Sequence, residues 1–216
     1  MSGGINVENK ENIVNDLRSA IDLLKSVPGQ LLETYEAVEA HAELAGVYRH
    51  VGAGGTVKRP TKIGPAMIFN NVKGHDDARV LIGLLSSRER VGLLLGEKPE
   101  KLGFLLNKAA NNPIGPIVIE NKEAKCQEVV HYATDEDFDI RKLLPAPTNT
   151  EEDAGPYITL GMCYASDPDN GDSDVTIHRL CLQSKDELTM FFTPGCRHLD
   201  VYKKKLRIGV RHYQYQ

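Results

Sequence analysis

The chain has 216 residues, with 26 Lys and Arg against 30 Asp and Glu, for a formal net charge of −4. A hydrophobic fraction of 41% supports a real core and excludes wholesale disorder. Interspersed charges of both signs leave no nucleic-acid footprint, and no apolar run approaches the roughly 20 residues of a membrane span, so neither partner is expected.

The N-terminus, MSGGINVENKEN, is polar and has no apolar targeting core, which points to a cytoplasmic protein. Ile13, Leu17, Ala20, Ile21 and Leu24 recur at helical spacing, and Pro28-Gly29 stops the pattern. The glycine-rich stretch from Gly46 to Pro60 reads as loop. A short strand is expected over residues 65–70 and a second apolar run of strand length over 80–85. Ser86 or Ser87 can cap a helix running to Leu95, with Gly96 where a left-handed terminator belongs. Residues 102–110 suggest another helix, ended by Asn111-Asn112-Pro113.

The pattern changes after Pro113. Residues 117–119 and 129–132 look like strands, and 138–144 like a turn of helix before Pro145. Three strand-like runs follow at 157–165, 175–183 and 188–193, separated by turn-rich segments such as DPDNGDSD. Strands without long helices between them suggest an antiparallel sheet or barrel. The expected class is α/β of the α+β kind: a mixed α/β domain at 1–115 and a mostly β domain at 116–216, with the boundary in the 113–125 region.

Cys126, Cys163, Cys181 and Cys196 are widely spaced without a CxxC pair and read as reduced thiols. The loop Gly52-Ala-Gly-Gly-Thr-Val-Lys58 has glycines and a lysine but not the spacing of a phosphate-binding loop, and a structural loop is the preferred reading. The seven histidines form no close metal pair. Lys203, Lys204, Lys205 and Arg207 read as the solvated face of a helix. In Ser173-Asp-Val-Thr-Ile-His-Arg179, strand alternation puts Asp174, Thr176 and His178 on one face and Val175, Ile177 and Cys181 on the other. Spacing alone favours an exposed sheet face with a solvated ion pair. The alternative is a ligand site, because Asp, His and Arg are costly to bury unpaired.

The run Ala42-Glu-Leu-Ala-Gly-Val-Tyr-Arg-His50 followed by GAGGTVKRPTKIGPAMIFNNVKG resembles UbiD-family decarboxylases acting on protocatechuate and gallate. So do Asp139-Ile-Arg-Lys-Leu-Leu-Pro-Ala-Pro-Thr-Asn-Thr150, Asp153-Ala-Gly-Pro-Tyr-Ile-Thr159, SDVTIHR, and Pro194-Gly-Cys-Arg-His198. These motifs are colinear over roughly residues 12–205.

The resemblance implies a non-oxidative decarboxylase of a hydroxylated benzoate. It implies prenylated FMN, a divalent cation (usually Mn2+) and often K+. Its partners would be the aromatic carboxylic acid, a flavin prenyltransferase as cofactor supplier, and further copies of the chain. Residues 116–216 would be part of a split β-barrel that binds the flavin. By position, Asp174 and His198 match metal ligands, with Asp where better-known relatives have Asn. Ile177 and His178 match residues lining the flavin, Arg197 sits beside the imidazole ligand, and Arg179 matches the arginine next to the reacting carboxylate. Asp174 and Arg179 are five positions apart, so a bulge or strand end is expected to bring them to one site. The family pattern continues beyond Lys205 with further acidic residues, so the 216-residue chain alone is expected to be inactive. The rival reading is a truncated, non-catalytic fragment or a flavin- or partner-binding subunit. A flavin-reductase-like module is a third option, without a dinucleotide fingerprint to support it.

Overall fold

The computed structural model describes residues 14–51, 64–192 and 198–208, with the backbone alone at 198 and 206–208. Among these, residues 14–38 and 46–130 form one compact unit, and residues 39–45 and 131–208 a second.

The first unit opens with α1 (Leu17–Ser26). Asp16 caps it by accepting a hydrogen bond from the Ser19 backbone N–H at 2.7 Å, and the Ser19 hydroxyl accepts one from the Asp16 N–H in return. Ala20 and Leu24 form its buried stripe. A three-stranded sheet follows, made of β1 (Leu31–Thr34), β2 (Ala66–Phe69) and β3 (Val80–Ile82). The central strand, β2, is parallel to β1, antiparallel to β3, and wholly buried. Helix α2 (Glu43–Val51) was not anticipated: residues 46–51, expected as loop, continue it despite Gly46. The loop expected over 52–58 lies outside the described residues.

Helix α3 (Arg88–Leu95) starts and stops where its sequence signals lie. Ser87 accepts from the Arg90 N–H, and Gly96 takes φ 64°, a left-handed conformation that glycine adopts without a Cβ penalty. Arg90 is 1% exposed, yet its partners among the described residues are neutral oxygens. One guanidinium nitrogen donates to the Gly83 carbonyl at 2.5 Å and to the Ser86 hydroxyl at 3.2 Å, and the other donates to the Gly64 carbonyl. Burial pushes its pKa down. The side chain thus ties α3 to the chain ends that flank β2 and β3. Gly83, at φ 77°, leaves room for the Tyr48 ring, which a Cβ there would overlap.

Helix α4 (Leu102–Asn111) completes the regular part of this unit. The strands expected at 117–119 and 129–132 do not form. Their β-branched residues satisfy propensity, but a strand needs a partner edge, and none of the described residues pairs with them. Ile117 and Val118 are instead 89% and 94% exposed.

The second unit begins its ordered elements with α5 (Ile140–Leu143), capped by Asp139. The Arg141 guanidinium beside Asp139 holds its carboxyl down at about 2. An antiparallel sheet follows in the order β4 (Tyr157–Ser166), β5 (Ser173–Leu182), β6 (Leu188–Met190). This matches the expected antiparallel β character of the C-terminal part. The third strand ends at Met190, short of the expected 193. Helix α6 (His198–Ile208) packs on β4 and β5 through Leu199 and Tyr202, both buried. The lysine run does lie on this helix, but it is not a purely solvated face. Lys204 pairs with Asp200 at 2.7 Å, Lys203 sits 4.4 Å from the centre of the Phe192 ring, and Lys205 pairs with Asp167 at 2.6 Å.

Two outcomes follow. Arg90→Ala strips three carbonyl and hydroxyl acceptors of their donor inside the first unit, and should lower unfolding stability by about 2–4 kcal/mol in a urea titration. The Lys205 ammonium and the Asp169 N–H hold the Asp167 carboxyl below its usual range. A depressed carboxyl contributes stability that is complete above the unfolded value of about 3.9 and fades as pH falls toward the folded value. Acid unfolding followed by circular dichroism should therefore be less steep below about pH 4 in Asp167→Asn than in the unaltered chain.

Candidate functional site

The β4–β5 pair is the scaffold of the site. Residues across the ladder share a face, so pairings Gly161–His178, Cys163–Thr176 and Ala165–Asp174 alternate with Met162–Ile177 and Tyr164–Val175. The first set lies on the covered side. Asp174 is half-buried, Thr176 is 5% exposed and His178 is 8% exposed. Leu160, Met162, Tyr164, Val175 and Ile177 form the opposite, exposed face, and the Arg179 side chain is exposed as well.

This placement overturns the reading of Asp174, Thr176 and His178 as an exposed sheet face. Helix α6 and Phe192 cover them, and the Phe192 ring lies 5.5 Å from the His178 ring. Strand alternation was visible in the sequence, but a helix twenty residues downstream decides which face is covered. The side with the larger aliphatic residues is the one left open.

The expectation that a bulge or strand end brings Asp174 and Arg179 to one site is not met: the bulge lies in β4, and the two residues stay on opposite faces of β5. The ladder passes from Ile158–Leu180 to Gly161–His178, so Thr159 and Leu160 together lie opposite Arg179. Strand β5 itself alternates regularly through His178. Asp174 and His178 are therefore brought to one face, Ile177 and Arg179 to the other. Arg197 and the side chain of His198 lie outside the described residues, although His198 is the first residue of α6.

The covered face has a distinctive polar content. The Thr176 hydroxyl and His178 Nε2 are buried and have no partner among the described residues. Unpaired buried polar atoms of this kind cost about 1–3 kcal/mol each. Together with Asp174 they form a row of hydroxyl, imidazole and carboxylate along one strand face. That donor set suits a polar group carrying a phosphate and a hard or borderline cation. Among the described residues no three His, Cys, Asp or Glu side chains converge on one point.

Electrostatics tie this face to α6. Burial, with Asp167, Asp174 and Asp172 nearby, pushes the Tyr202 hydroxyl above its ordinary pKa. Lys205 reaches the β4–β5 turn, where its ammonium donates to both Asp167 oxygens at 2.9 and 2.6 Å and pairs with Asp169 at 2.9 Å. The turn is itself well ordered: the Asp167 carbonyl accepts from the Gly171 N–H, and its carboxylate accepts from the Asp169 N–H. Sequence reasoning read DPDNGDSD as a turn and the lysines as solvated, and so missed this cross-connection. Cys126, Cys163 and Cys181 are free thiols, and burial pushes the Cys163 thiol up. No helix among the described residues is long and apolar enough to cross a membrane.

Comparison with known proteins gives this geometry a context. The chain is 51% identical over 190 residues to the gallate decarboxylase of Lactiplantibacillus plantarum, covering 88% of this chain and 39% of that protein. The apo 3,4-dihydroxybenzoic acid decarboxylase of Enterobacter cloacae superposes with a TM-score of 0.84 at 57% identity, over 91% of this chain and 40% of that one. A UbiD-class enzyme of Pelotomaculum thermopropionicum, solved in complex with FMN, superposes with a TM-score of 0.76 at 28% identity over 89% of this chain and 39% of its own. An evolved dimeric form of that enzyme is solved in complex with prFMN. The chain thus spans about 40% of the length of these relatives. Residues 22–109 match the 3-octaprenyl-4-hydroxybenzoate carboxy-lyase N-terminal domain and residues 117–211 its Rift-related domain. With both of its domain profiles matched along most of its length, the chain belongs to the UbiD family of carboxy-lyases.

Proposed function

We propose that the chain is the N-terminal part of a UbiD-type decarboxylase that removes CO2 non-oxidatively from a hydroxylated benzoate such as protocatechuate or gallate. The observation that carries this reading is the two-sidedness of β5. One side offers a guanidinium, Arg179, beside exposed apolar side chains, which is the chemistry an aromatic carboxylate requires. The other side buries Asp174, Thr176 and His178, which is the chemistry of a charged cofactor end. The gallate and 3,4-dihydroxybenzoic acid decarboxylases among the relatives support the substrate class.

In this reading Arg179 holds the carboxylate by charge-assisted, bidentate hydrogen bonds. His178 lines the flavin from the covered face, whereas Ile177, expected to share that lining, lies on the open face with Arg179; Arg197 adjoins His198 in sequence and belongs to the same cofactor end. Asp174 and His198 hold a divalent cation, with Mn2+ the preferred ion and K+ as an accessory. When bound, prenylated FMN supplies an electron sink for the charge released as CO2 departs. The FMN- and prFMN-bound relatives support a flavin here, and the dimeric relative supports self-association. A flavin prenyltransferase would supply the cofactor. We take the domains as 1–115 and 116–216, a division compatible with family matches at 22–109 and 117–211, although the compact units of the structure part at 130/131. The competing reading, a flavin- or partner-binding subunit without turnover, shares the same cofactor face and differs only in the absence of CO2 release from protocatechuate or gallate.

Substitution separates the two sides of β5. In a decarboxylase bearing the same SDVTIHR and CRH segments, Arg179→Ala should lower kcat/KM by about a hundredfold while bound flavin absorbance is retained. His198→Ala should lower metal and flavin content together, because both depend on one coordination site. Full metal and flavin occupancy in His198→Ala would refute the ligand assignment.

A further inference from the structure

We infer that Asn170-Gly171 is a self-modification site: the Asn170 amide is set up to deamidate through a cyclic imide, and the ion pair of Lys205 with Asp167 restrains the reaction by keeping the turn closed.

Asn170 is the only asparagine of the chain that is followed by glycine. Both residues are exposed at the tip of the β4–β5 turn, a place that suits this pair. Gly171 takes φ 80° and has no Cβ to shield its amide nitrogen. Asp172 holds both ends of the Asn170 amide. Its backbone N–H donates to Asn170 Oδ1 at 3.0 Å, and its carboxylate accepts from Asn170 Nδ2 at 2.7 Å. A donor on Oδ1 polarises the Cγ carbonyl and stabilises the oxygen on which negative charge develops when Cγ is attacked.

The reaction balances without oxidant or reductant. The Gly171 nitrogen attacks Asn170 Cγ and loses its proton, the Cγ–Nδ2 bond breaks, and the departing amide takes up that proton to leave as ammonia. Water then opens the imide at one carbonyl or the other, leaving aspartate or β-linked isoaspartate at position 170. Either product replaces an N–H donor facing Asp172 with a carboxylate. A hydrogen bond becomes a like-charge contact, in a turn that already carries Asp167, Asp169 and Asp172.

The fold holds the nucleophile back. The Gly171 N–H donates to the Asp167 carbonyl at 2.9 Å, and the Asp167 N–H donates to the Asp172 carbonyl at 2.7 Å, so the turn is closed across its base. Asp167 is held in turn from outside the hairpin, because Lys205 donates to both of its carboxylate oxygens and also pairs with Asp169. Attack requires the Gly171 N–H to leave its acceptor, so the rate follows the population of the opened turn. Lys205 lowers that population by fixing the residues that lead into Asn170.

The test incubates the 216-residue chain at neutral pH and follows conversion at every asparagine by peptide mass spectrometry. Asn170→Gln, Lys205→Met, Lys205→Arg and Asp167→Asn are run alongside, and amide exchange is read over residues 167–173. In the unaltered chain Asn170 should convert to aspartate and isoaspartate ahead of Asn121, an exposed asparagine followed by lysine. Lys205→Met and Asp167→Asn should each speed conversion at Asn170, and exchange at Gly171, by about tenfold, with Lys205→Arg returning both toward the unaltered chain. Asn170→Gln should leave position 170 unconverted, because the longer side chain closes the ring poorly. Conversion at Asn170 no faster than at Asn121 overturns the site. Faster exchange at Gly171 with unchanged conversion, or unchanged exchange in both Lys205→Met and Asp167→Asn, overturns the restraint. A rise at every asparagine marks global loosening and overturns the restraint as well.

Discussion

Alternation along β5 is the constraint from which the rest of the site follows. A strand turns successive side chains to opposite faces, so seven consecutive residues cannot all converge on one ligand. Here the even positions, Asp174, Thr176 and His178, lie under α6 and Phe192, and the odd positions, Val175, Ile177 and Arg179, lie in the open. The bulge in β4 opposite Arg179 breaks the ladder at the point where the two chemistries meet. A bulge relaxes the local pairing and increases strand twist, and here it leaves the covered row of β5 in regular alternation.

Buried charge is handled in two ways. In the first unit Arg90 is enclosed by carbonyl and hydroxyl oxygens, and its cost is met by dipoles that hold three chain segments together. In the second unit Asp167 is enclosed by an ammonium and its own turn. The difference matters for specificity of placement. The acceptors of Arg90 lie up to 26 positions away and are neutral dipoles, whereas the Asp167–Lys205 pair joins opposite charges 38 positions apart in sequence. The second arrangement turns a surface hairpin into an anchor for a helix.

Apolar surface is distributed unevenly. Leu160, Met162, Tyr164, Val175 and Ile177 form a continuous exposed face, and Ile114, Ile117 and Val118 are almost fully exposed. Scattered exposed hydrophobic residues are ordinary in soluble proteins, but a contiguous face on a sheet is characteristic of a binding surface.

The sequence alone determined the elements whose signals are local. The Ser87 cap and Gly96 terminator of α3, the stripe of α1, and the strands β4 and β5 all follow from residues within a few positions of one another. The colinear motifs were enough to identify the family, because they are matched residue by residue and need no folding argument. Tertiary structure decided the rest. It denied strands at 117–119 and 129–132, which lack a partner edge, and extended α2 through a stretch whose glycine suggested loop. It also chose which face of β5 is buried. Periodicity states that two faces exist, but only the packing of α6, brought back over the sheet and held by Lys205, states which of them is dry.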